Sequence, residues 1–311
     1  MAKYLVTGGA GFIGSHITEE LARRGESVRV LDNFLTGKKE NLTPFLNKIE
    51  LLEGDIRDYD LCQKAVEGID YVLHQAALPS VPRSVSDPIT SNEINITGTL
   101  NMLVASQKAG IQSFVFASSS SVYGDDQRLP KKEGSEGTPL SPYALGKSTG
   151  EKYCQIFSGL HGFNTVCLRY FNIFGPRQDP FSQYAAAIPN FVTKILNNEQ
   201  PIIYGDGEQS RDFTFVSNVV KANLLACNTP NVSGEVFNIA CGARTTVNSL
   251  VNNIKTILKD DIKAKHIDPQ PGDVRHSHAD ITKAAEMLKY KPLVTFSEGL
   301  KKTISWYKEN M

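Results

Sequence analysis

The sequence has few cysteines, and their spacing excludes two common uses of them. Among 311 residues there are five, an odd number at scattered positions: Cys62, Cys154, Cys167, Cys227 and Cys241. None forms a Cys-x-x-Cys pair or a cluster with histidine, so neither a disulfide framework nor a zinc site is expected. We expect reduced thiols, a cytoplasmic protein and no bound metal.

Long apolar runs and an excess of one charge are also missing. No stretch approaches the length of a membrane span, and the first predicted strand begins so close to Met1 that we expect no signal peptide. Basic and acidic residues balance at 33 each, which gives no general attraction to nucleic acid or to an anionic membrane. The length fits one large α/β domain or two smaller ones.

Three glycines stand at the junction of a predicted strand and a predicted helix. Residues 3–7 form the strand and residues 12–24 the helix, with Gly8, Gly11 and Gly14 at the turn. These glycines permit a tight turn, a close approach of phosphates to the backbone, and close packing of helix on strand. The N–H groups at the helix start carry partial positive charge and suit a pyrophosphate. The pattern predicts a dinucleotide-binding site.

An acidic residue ends the second predicted strand. Residues 27–31 form this strand, and Asp32 follows it. A carboxylate at this spacing accepts hydrogen bonds from the adenosine ribose, and its charge repels a 2′-phosphate. The sequence therefore predicts NAD rather than NADP. Gly25 is expected to end the preceding helix in a left-handed conformation.

Strand-like and helical segments then alternate along the chain. The further predicted strands are residues 49–52, 71–74, 113–117 and 165–169, and the helices are residues 60–67, 91–108 and 143–161. This alternation predicts a Rossmann-like α/β fold with a doubly wound parallel sheet. We expect an NAD-binding domain over residues 1–175, with residues 213–240 returning to it. Residues 176–311 should form a smaller C-terminal α/β lobe that closes over it.

Tyr143 and Lys147 stand one turn apart on a predicted helix that starts at Ser-Pro, residues 141–142. A free tyrosine has a pKa of about 10 and is a poor base at neutral pH. A nearby cation lowers such a pKa by about 1–3 units, and both Lys147 and an oxidised nicotinamide are cationic. We therefore predict that Tyr143 acts as a general base beside the cofactor.

Four consecutive serines, residues 118–121, follow the predicted strand 113–117. Ligands of parallel sheets bind at the carboxyl ends of strands. We therefore expect these serines to hydrogen-bond the reacting group rather than to form only a polar loop.

These motifs together resemble a known family. The glycine pattern, the serines before Val-Tyr-Gly at 122–124, the Tyr-x-x-x-Lys pair and Arg-Tyr-Phe-Asn at 169–172 are similar to those of the extended short-chain dehydrogenase/reductases. Within that family of NAD-dependent epimerases and dehydratases, the chain most resembles the UDP-sugar 4-epimerases, in particular those of UDP-N-acetylglucosamine. The resemblance covers essentially the whole chain.

The resemblance implies specific roles. Tyr143 is the base, Lys147 holds the nicotinamide ribose, Ser119 binds the 4-hydroxyl, and Asn172 and Arg211 contact the diphosphate. The implied cofactor contacts are Gly8, Gly11, Phe12, Ile13, Gly14, Asp32, Asn33, Asp55, Ile56, Gln75, Ala76, Ala77, Asn95, Tyr143, Lys147 and Tyr170. The implied substrate contacts are Arg83, Ser84, Ser119, Ser120, Tyr143, Asn172, Ala187, Ile188, Tyr204, Arg211, Asp273, Arg275 and Ser277.

The resemblance also implies a reaction and an assembly. NAD would act catalytically in the inversion of C4 of a UDP-hexose through a transient 4-keto sugar, with no net redox change. The helices 91–108 and 143–161 resemble the pair through which family members form a homodimer by a four-helix bundle. The expected partners are thus a UDP-sugar and a second copy of the chain, with no nucleic acid and no membrane.

Sister enzymes begin with the same oxidation and stay as alternatives. The 4,6-dehydratases carry Thr-Asp-Glu before Val-Tyr-Gly, where this chain has Ser119, Ser120 and Ser121. The UDP-glucuronate decarboxylases usually keep a glutamate at the position of Ser121. A UDP-glucuronate 4-epimerase is a further alternative. A non-enzymatic NAD-binding sensor or scaffold is disfavoured because such proteins typically lose the tyrosine or the lysine.

The resemblance indicates the sugar through one position. Asp273 resembles the acid that binds the uridine ribose, and in related epimerases a tyrosine four residues later excludes an N-acetyl group at C2. Here that position is Ser277, which predicts that UDP-GlcNAc and UDP-GalNAc are accepted, as well as UDP-Glc and UDP-Gal. Residues 82–84 and 177–180 also resemble epimerases that prefer acetylated sugars.

One position departs from the family pattern. Where relatives often have an arginine three residues before the acid, this chain has Gln270. We expect Arg275 or Arg211 to contact the phosphate instead. The preference among plain, acetylated and uronic sugars stays open.

Overall fold

The structure, a computed structural model, describes residues 1–180, 186–269 and 274–311. Its strands are β1 (Lys3–Thr7), β2 (Ser27–Asp32), β3 (Ile49–Glu53), β4 (Tyr71–His74), β5 (Ser113–Ser119), β6 (Thr165–Tyr170), β7 (Ile173–Phe174), β8 (Ile202–Tyr204), β9 (Ser210–Arg211), β10 (Thr214–Phe215), β11 (Glu235–Ile239), β12 (Thr245–Thr246) and β13 (Lys265–Ile267). Its helices are α1 (Phe12–Arg23), α2 (Tyr59–Val66), α3 (Val81–Ser86), α4 (Pro88–Asn92), α5 (Thr99–Lys108), α6 (Pro142–His161), α7 (Ala187–Leu196), α8 (Val216–Asn228), α9 (Val247–Leu258), α10 (Thr282–Met287) and α11 (Phe296–Asn310).

A parallel sheet of seven strands within these residues forms the centre of the protein. Its order is β11-β6-β5-β4-β1-β2-β3, and neighbouring strands pair in parallel. The chain runs from β1 to β3 on one side and then crosses back to β4, so the strand order reverses between β1 and β4. Ligands of such sheets bind at the carboxyl ends of the strands beside this reversal. The Rossmann-like fold and the predicted strands are confirmed.

Helices cover both faces of the sheet because both faces are apolar. In β1, Tyr4 and Val6 belong to one core layer and Leu5 to the other, as expected when side chains alternate along a strand. Ile17 of α1 packs in the first layer and Met102 of α5 in the second. A strand buried on both faces is a nearly continuous apolar run, which explains why these strands are recognisable in the sequence.

The C-terminal part has its own apolar core and short strand pairs. Phe174, Ile188, Leu250 and Ile304 bring α7, α9 and α11 together in this core. β8 pairs with β13, β9 with β12, and β7 with β10. Within residues 213–240, α8 packs on a face of the central sheet and β11 is the edge strand of that sheet, paired with β6. The domain division at residue 175 stays a prediction.

The helix predicted over residues 91–108 is built differently. Helix α4 continues into a π-helical turn at Glu93–Gly98 and then into α5. Single π turns inside helices are uncommon and often lie near functional sites. Asn95 lies in this turn, beside the loop that follows β4. No helix of the described residues is long and apolar enough to cross a membrane.

Candidate active site

A cavity of about 710 Å³ lies at the carboxyl ends of the central strands. The predicted cofactor residues in its lining are Gly8, Gly11, Phe12, Ile13, Gly14, Asp32, Asn33, Asp55, Ile56, Gln75, Ala76, Ala77, Tyr143, Lys147 and Tyr170. Arg83 and Ser118 line it as well, and so do Gln178 and Asp179 from beyond β7. The structure therefore places the glycine turn and the tyrosine–lysine pair in one cavity.

The glycine turn leaves no room for side chains. Gly8 has a φ of +67°, and a Cβ there would lie 2.7 Å from the backbone nitrogen of Ala76. A Cβ on Gly14 would lie 2.0 Å from the carbonyl oxygen of Gly8. Both contacts are with backbone atoms, which cannot rotate away. Only glycine fits at these two positions, as the sequence predicts.

The start of α1 offers free N–H groups to the cavity. Gly11 precedes the helix in an extended conformation, and no side chain caps the helix. The first bond of the helix runs from Ser15 N to Gly11 O, 3.0 Å. The N–H groups of Phe12, Ile13 and Gly14 are therefore left for a ligand. A pyrophosphate fits this group of donors, because the helix end also carries partial positive charge.

Asp32 has a structural task besides the predicted one. Its carboxylate accepts hydrogen bonds from Ala10 N at 2.9 Å and from Phe34 N at 2.8 Å, so it ties the glycine turn to the loop after β2. Burial raises the pKa of Asp32, and these two backbone bonds oppose that rise. Each oxygen keeps a lone pair for a ribose hydroxyl, so the predicted role is compatible with this geometry.

Helix α6 begins as predicted and carries the tyrosine–lysine pair. Ser141 caps it by accepting a hydrogen bond from Ala144 N, with Pro142 in the first turn. The Lys147 Nζ lies 5.9 Å from the ring centre of Tyr143 and donates to Ala117 O at 2.7 Å. Burial lowers the pKa of Lys147 to about 8, and the charge of Glu151 opposes that change.

Burial sets the pKa of Tyr143 in the polypeptide alone. It raises the pKa of Tyr143 above its usual 10, because removing the phenol from water disfavours its charged form, and a hydrogen bond with Ser119 only partly offsets this. The lowered pKa that the sequence predicts belongs to a site with an oxidised nicotinamide beside the phenol, and it stays a prediction.

The four serines have different environments. Ser118 is almost fully buried at the wall of the cavity, and its hydroxyl donates to Glu151 Oε1. Ser119 ends β5, contacts Tyr143 and accepts hydrogen bonds from Ser121 N and Oγ at 3.1 and 3.0 Å. Ser120 starts a short 3-10 turn. Of the serine run, Ser119 is thus placed beside the phenol.

Two predicted contact residues hold the loop after β4 instead of facing the cavity. Ser84 is buried and accepts a hydrogen bond from Tyr143 N at 3.1 Å. Asn95 is buried, accepts from Leu78 N at 2.8 Å and donates to Leu78 O at 3.1 Å. Their polar atoms are satisfied within the protein, so direct ligand contacts are not supported. Arg83, by contrast, lines the cavity.

Three buried polar residues near the site were not predicted. Asn223 of α8 donates to the Tyr170 hydroxyl at 2.8 Å, and that hydroxyl donates in turn to Gln75 Oε1 at 3.1 Å. Asp212 accepts from the backbone of the 241–242 turn and from Ala279. Glu151 binds Ser118 and Arg169. In the sequence, the signal for such a residue is a polar side chain within an apolar helix, as with Asn223 one turn from the fully buried Val219.

The predicted diphosphate and sugar residues meet beyond β6. Asn172 has a φ of +42°, and its Nδ2 donates to Asp212 O and to Ser277 Oγ, both at 3.4 Å. The Ser277 N–H donates to Ser210 O at 2.9 Å, which fixes the backbone at that position. The structure therefore brings Asn172 and Ser277 together, as the resemblance implied.

The two arginines considered for the phosphate differ. Arg211 Nη1 donates to Ser210 O at 3.0 Å and to Arg275 O at 3.3 Å, so its guanidinium stays close to Ser277. The side chain of Arg275 is exposed and pairs with Asp206 at 2.8 Å. Arg275 is therefore directed to the surface, because a nearby carboxylate holds it there, and Arg211 is the better placed of the two.

The remaining predicted substrate residues do not form one group. Ala187 starts α7, and the Ile188 side chain is buried in the C-terminal core. Their contacts with a substrate stay predictions. Tyr204 ends β8 and is exposed. Gln270 and Asp273 lie outside the described residues.

These features define a class of protein: an α/β protein with a dinucleotide site and an adjacent tyrosine–lysine pair. Within the described ranges, no group of three or more His, Cys, Asp or Glu side chains is placed to bind a metal ion. The model of the NAD dependent epimerase/dehydratase family matches residues 4–240. The chain belongs to this family, and its cofactor is NAD.

Similar proteins cover the whole chain. The solved structure of UDP-N-acetylglucosamine 4-epimerase from Methanobrevibacter ruminantium, in complex with UDP-N-acetylmuramic acid, is 43% identical with a TM-score of 0.95 and covers 100% of this chain and 99% of its own. UDP-glucose 4-epimerase from Thermotoga maritima is 39% identical with a TM-score of 0.94, covering 99% of each chain. UDP-N-acetyl-alpha-D-glucosaminuronate decarboxylase of Bacillus cytotoxicus is 34% identical, covering 98% of this chain and 97% of its own.

Proposed function

We propose that this chain is a UDP-sugar 4-epimerase that interconverts UDP-GlcNAc and UDP-GalNAc, and UDP-Glc and UDP-Gal. The observation that carries the proposal is the phenol of Tyr143, which contacts Ser119 one turn from the buried Lys147, in the cavity that suits NAD. Similarity to 4-epimerases over the full chain supports it.

The protein's part in the reaction is to move one proton. The Tyr143 oxygen takes the proton of the sugar's O4–H while the C4–H bond breaks, so that C4–O becomes a carbonyl. Bound NAD would supply a hydride acceptor and donor for C4, and its oxidised ring would add a positive charge that favours the phenolate. Tyr143 then returns the proton to O4. Every atom and electron taken is given back, so the net result is inversion at C4.

The sugar must turn over between the two half-reactions while its nucleotide stays bound. Asn172 and Arg211 would hold the diphosphate, and Asp273 the uridine ribose. Rotation about the diphosphate linkage then turns the other face of C4 toward the cofactor side of the cavity, while O4 remains within reach of Tyr143. We further propose that residues 1–175 with 213–240 bind NAD and that the rest of 176–311 binds the nucleotide sugar.

The strand end after β5 disfavours dehydration. Elimination of water needs an acid beside the sugar, and residues 119–121 supply hydroxyl groups. Glu151 is the nearby carboxylate, but it is buried and bound to Ser118 and Arg169, so it is not free to protonate a leaving group.

A uronic acid is the second candidate substrate, as in a UDP-glucuronate 4-epimerase or decarboxylase. Arg83 favours it, because this arginine of α3 lines the cavity next to Ser84, which accepts a hydrogen bond from Tyr143 N, and a guanidinium is a good partner for a sugar carboxylate. The similarity to a uronate decarboxylase points the same way.

Proton NMR of the purified protein with UDP-GlcNAc, UDP-Glc and UDP-GlcA, each incubated separately, tests the proposed function. We expect the first two to reach equilibrium with their C4 epimers. Formation of a 4-keto-6-deoxy sugar or of a pentose would identify a dehydratase or a decarboxylase instead. Inversion of UDP-GlcA alone would select the second candidate.

The substitution Ser277→Tyr tests the choice of sugar. The backbone of Ser277 is fixed by its bond to Ser210 O and cannot withdraw to make room for a phenol. We expect turnover of UDP-GlcNAc to fall by about 100-fold or more, since a clash exceeds the loss of one methylene contact, while UDP-Glc is spared. Ser277→Ala, which keeps the space, should retain both activities. Equal retention of both in Ser277→Tyr would show that this position does not border C2.

We also propose a homodimer through α4, α5 and α6. Exposed apolar side chains stand on α4 and α6, where Ile89, Leu145, Ile156 and Leu160 are at least half exposed. Helix faces of this kind are normally covered by a partner. We expect light scattering to give a dimer at micromolar concentration and Leu160→Glu to give a monomer. The matched variant Leu293→Glu changes an exposed leucine elsewhere and should stay dimeric. A monomeric wild type would refute the dimer.

A further inference from the structure

Glu151 lies two turns after Tyr143 and one turn after Lys147 on α6, so the three side chains share one face of the helix. Its carboxylate is buried, with 3% of the residue exposed. Three donors reach it: Ser118 Oγ, Arg169 Nε at 2.8 Å and Arg169 Nη2 at 2.7 Å. A buried carboxylate is stable only when it is paired and hydrogen-bonded in this way. Glu151 is therefore held in place as an anion.

The bond from Ser118 connects Glu151 to the reacting end of β5. Ser118 stands between Ala117, whose carbonyl oxygen holds the Lys147 ammonium at 2.7 Å, and Ser119, which contacts the Tyr143 phenol. Ser118, which Glu151 binds, is thus flanked by the two residues that contact Lys147 and Tyr143. A shift of Ser118 would therefore shift both contacts.

Glu151 also acts on Lys147 through its charge. Among the described residues, the Lys147 ammonium has one hydrogen-bond partner, the neutral carbonyl oxygen of Ala117. Burial without a counter-ion disfavours the ammonium and lowers its pKa to about 8, and Glu151 is the charge that opposes this.

The other charged groups around Lys147 do not replace that effect. His74 of β4 is neutral at working pH, because burial and the lysine charge lower its pKa to about 3. Arg169 of β6 is cationic, so its charge disfavours the Lys147 ammonium as a second buried cation. Glu136 pairs with Nη1 of Arg169, and Glu151 pairs with Nη2. Burial also raises the pKa of Cys167, a thiol of β6 affected by the charge of Glu151, well above its usual range, so this thiol stays neutral at the pH where Lys147 titrates.

We propose that Glu151 is a positioning residue for the proton transfer: it fixes the Ala117–Ser119 strand end and keeps Lys147 protonated. This rests on the proposed function, in which Tyr143 exchanges a proton with the sugar. Glu151 does not touch the reacting atoms. Its effect is transmitted through Ser118 and through the electrostatic field at the lysine.

Two substitutions of Glu151 separate charge from shape. Glu151→Gln keeps the size and accepts a hydrogen bond but has no charge, whereas Glu151→Asp keeps the charge. Without the anion the ammonium loses its proton at lower pH, so we expect the alkaline midpoint of kcat to fall by about 1 pH unit in Glu151→Gln and to stay near wild type in Glu151→Asp. The measurement is kcat for UDP-sugar inversion across neutral and alkaline pH, with thermal unfolding and NAD content as folding controls.

Ser118→Ala tests the connection to the strand end without removing a charge. This substitution deletes one hydroxyl group and leaves the ion pair between Glu151 and Arg169 intact. We therefore expect the variant to fold. We expect kcat to fall by about 10-fold, because a small displacement of the reacting groups slows the reaction. KM and the alkaline midpoint should stay unchanged.

The outcomes are separable. An unchanged midpoint in Glu151→Gln, with activity lost evenly at every pH, would overturn the electrostatic role. A wild-type kcat in Ser118→Ala would overturn the positioning role, and that result does not depend on whether Glu151→Gln folds. A wild-type protein that inverts no UDP-sugar would instead contradict the proposed function.

Discussion

Tyr143→Phe is expected to fold, to retain NAD and to lose turnover by about 10²–10⁴-fold, the usual contribution of a general acid–base group. The substitution removes only the hydroxyl that exchanges the proton with O4. The ring, its neighbours Lys147 and Ser84, and the glycine turn that suits the cofactor are unchanged. The measurement is kcat of the C4 inversion, together with the NAD content of the purified protein.

The matched control is Tyr123→Phe. Tyr123 is also buried close to the end of β5, and its hydroxyl donates to Asn238 Oδ1 at 2.7 Å. Losing that bond should cost about 1 kcal/mol of stability and leave the chemistry intact. Retention of more than a tenth of the wild-type rate in Tyr143→Phe, or an equal loss in Tyr123→Phe, would remove Tyr143 from the reaction.

Gly14→Ala is expected to weaken NAD binding by about 10-fold to 100-fold and to destabilise the protein by about 1–3 kcal/mol. The new Cβ would lie 2.0 Å from the Gly8 carbonyl oxygen and 2.8 Å from the Gly8 carbonyl carbon. The turn must therefore move, and the N–H groups at the start of α1 move with it. Titration of the cofactor-free protein with NAD and thermal unfolding measure the two effects.

Gly159→Ala is the control for the glycine turn. Gly159 lies in α6, and a Cβ there meets nothing within 4 Å. Alanine in a helix interior is favoured over glycine by about 0.5–1 kcal/mol, so this variant should be as stable as wild type or slightly more so, with unchanged NAD affinity. If Gly14→Ala bound NAD as tightly as Gly159→Ala, the turn would not be the cofactor site.

The features that the sequence predicts well are local ones. The strand–glycine–helix junction at residues 3–24 depends on a few adjacent residues, and the structure confirms its bounds to within a residue or two. Tyr143 and Lys147 need only one regular helix to come together. The parallel sheet is predictable because strands buried on both faces are apolar throughout.

The features that the sequence does not predict depend on residues distant in the chain. The resemblance places Asn95 at the cofactor, whereas in the structure its amide binds the backbone of Leu78, 17 residues earlier. The role of Glu151 depends on Arg169, which lies 18 residues further along the chain on a strand. The burial that raises the pKa of Tyr143 is likewise a property of the whole fold.

The C-terminal part of the chain is the least predictable for the same reason. Its strand pairs are two or three residues long, too short to give a periodic pattern. Whether an arginine faces the ligand or the solvent there depends on a single carboxylate, as with Arg275 and Asp206. That Asn172 and Ser277 lie together could be expected only from the resemblance, because periodicity carries no tertiary information.

Inversion of UDP-GlcNAc in heavy water, followed by proton NMR, tests the central claim most directly. If C4 is oxidised and reduced within the bound complex, the UDP-GalNAc formed must keep the original hydrogen at C4, because the hydride never exchanges with solvent. It must also keep the hydrogen at C5, because no elimination takes place. We predict product with full proton signals at both positions. Deuterium at C4 or C5, or no UDP-GalNAc at all, would contradict the account.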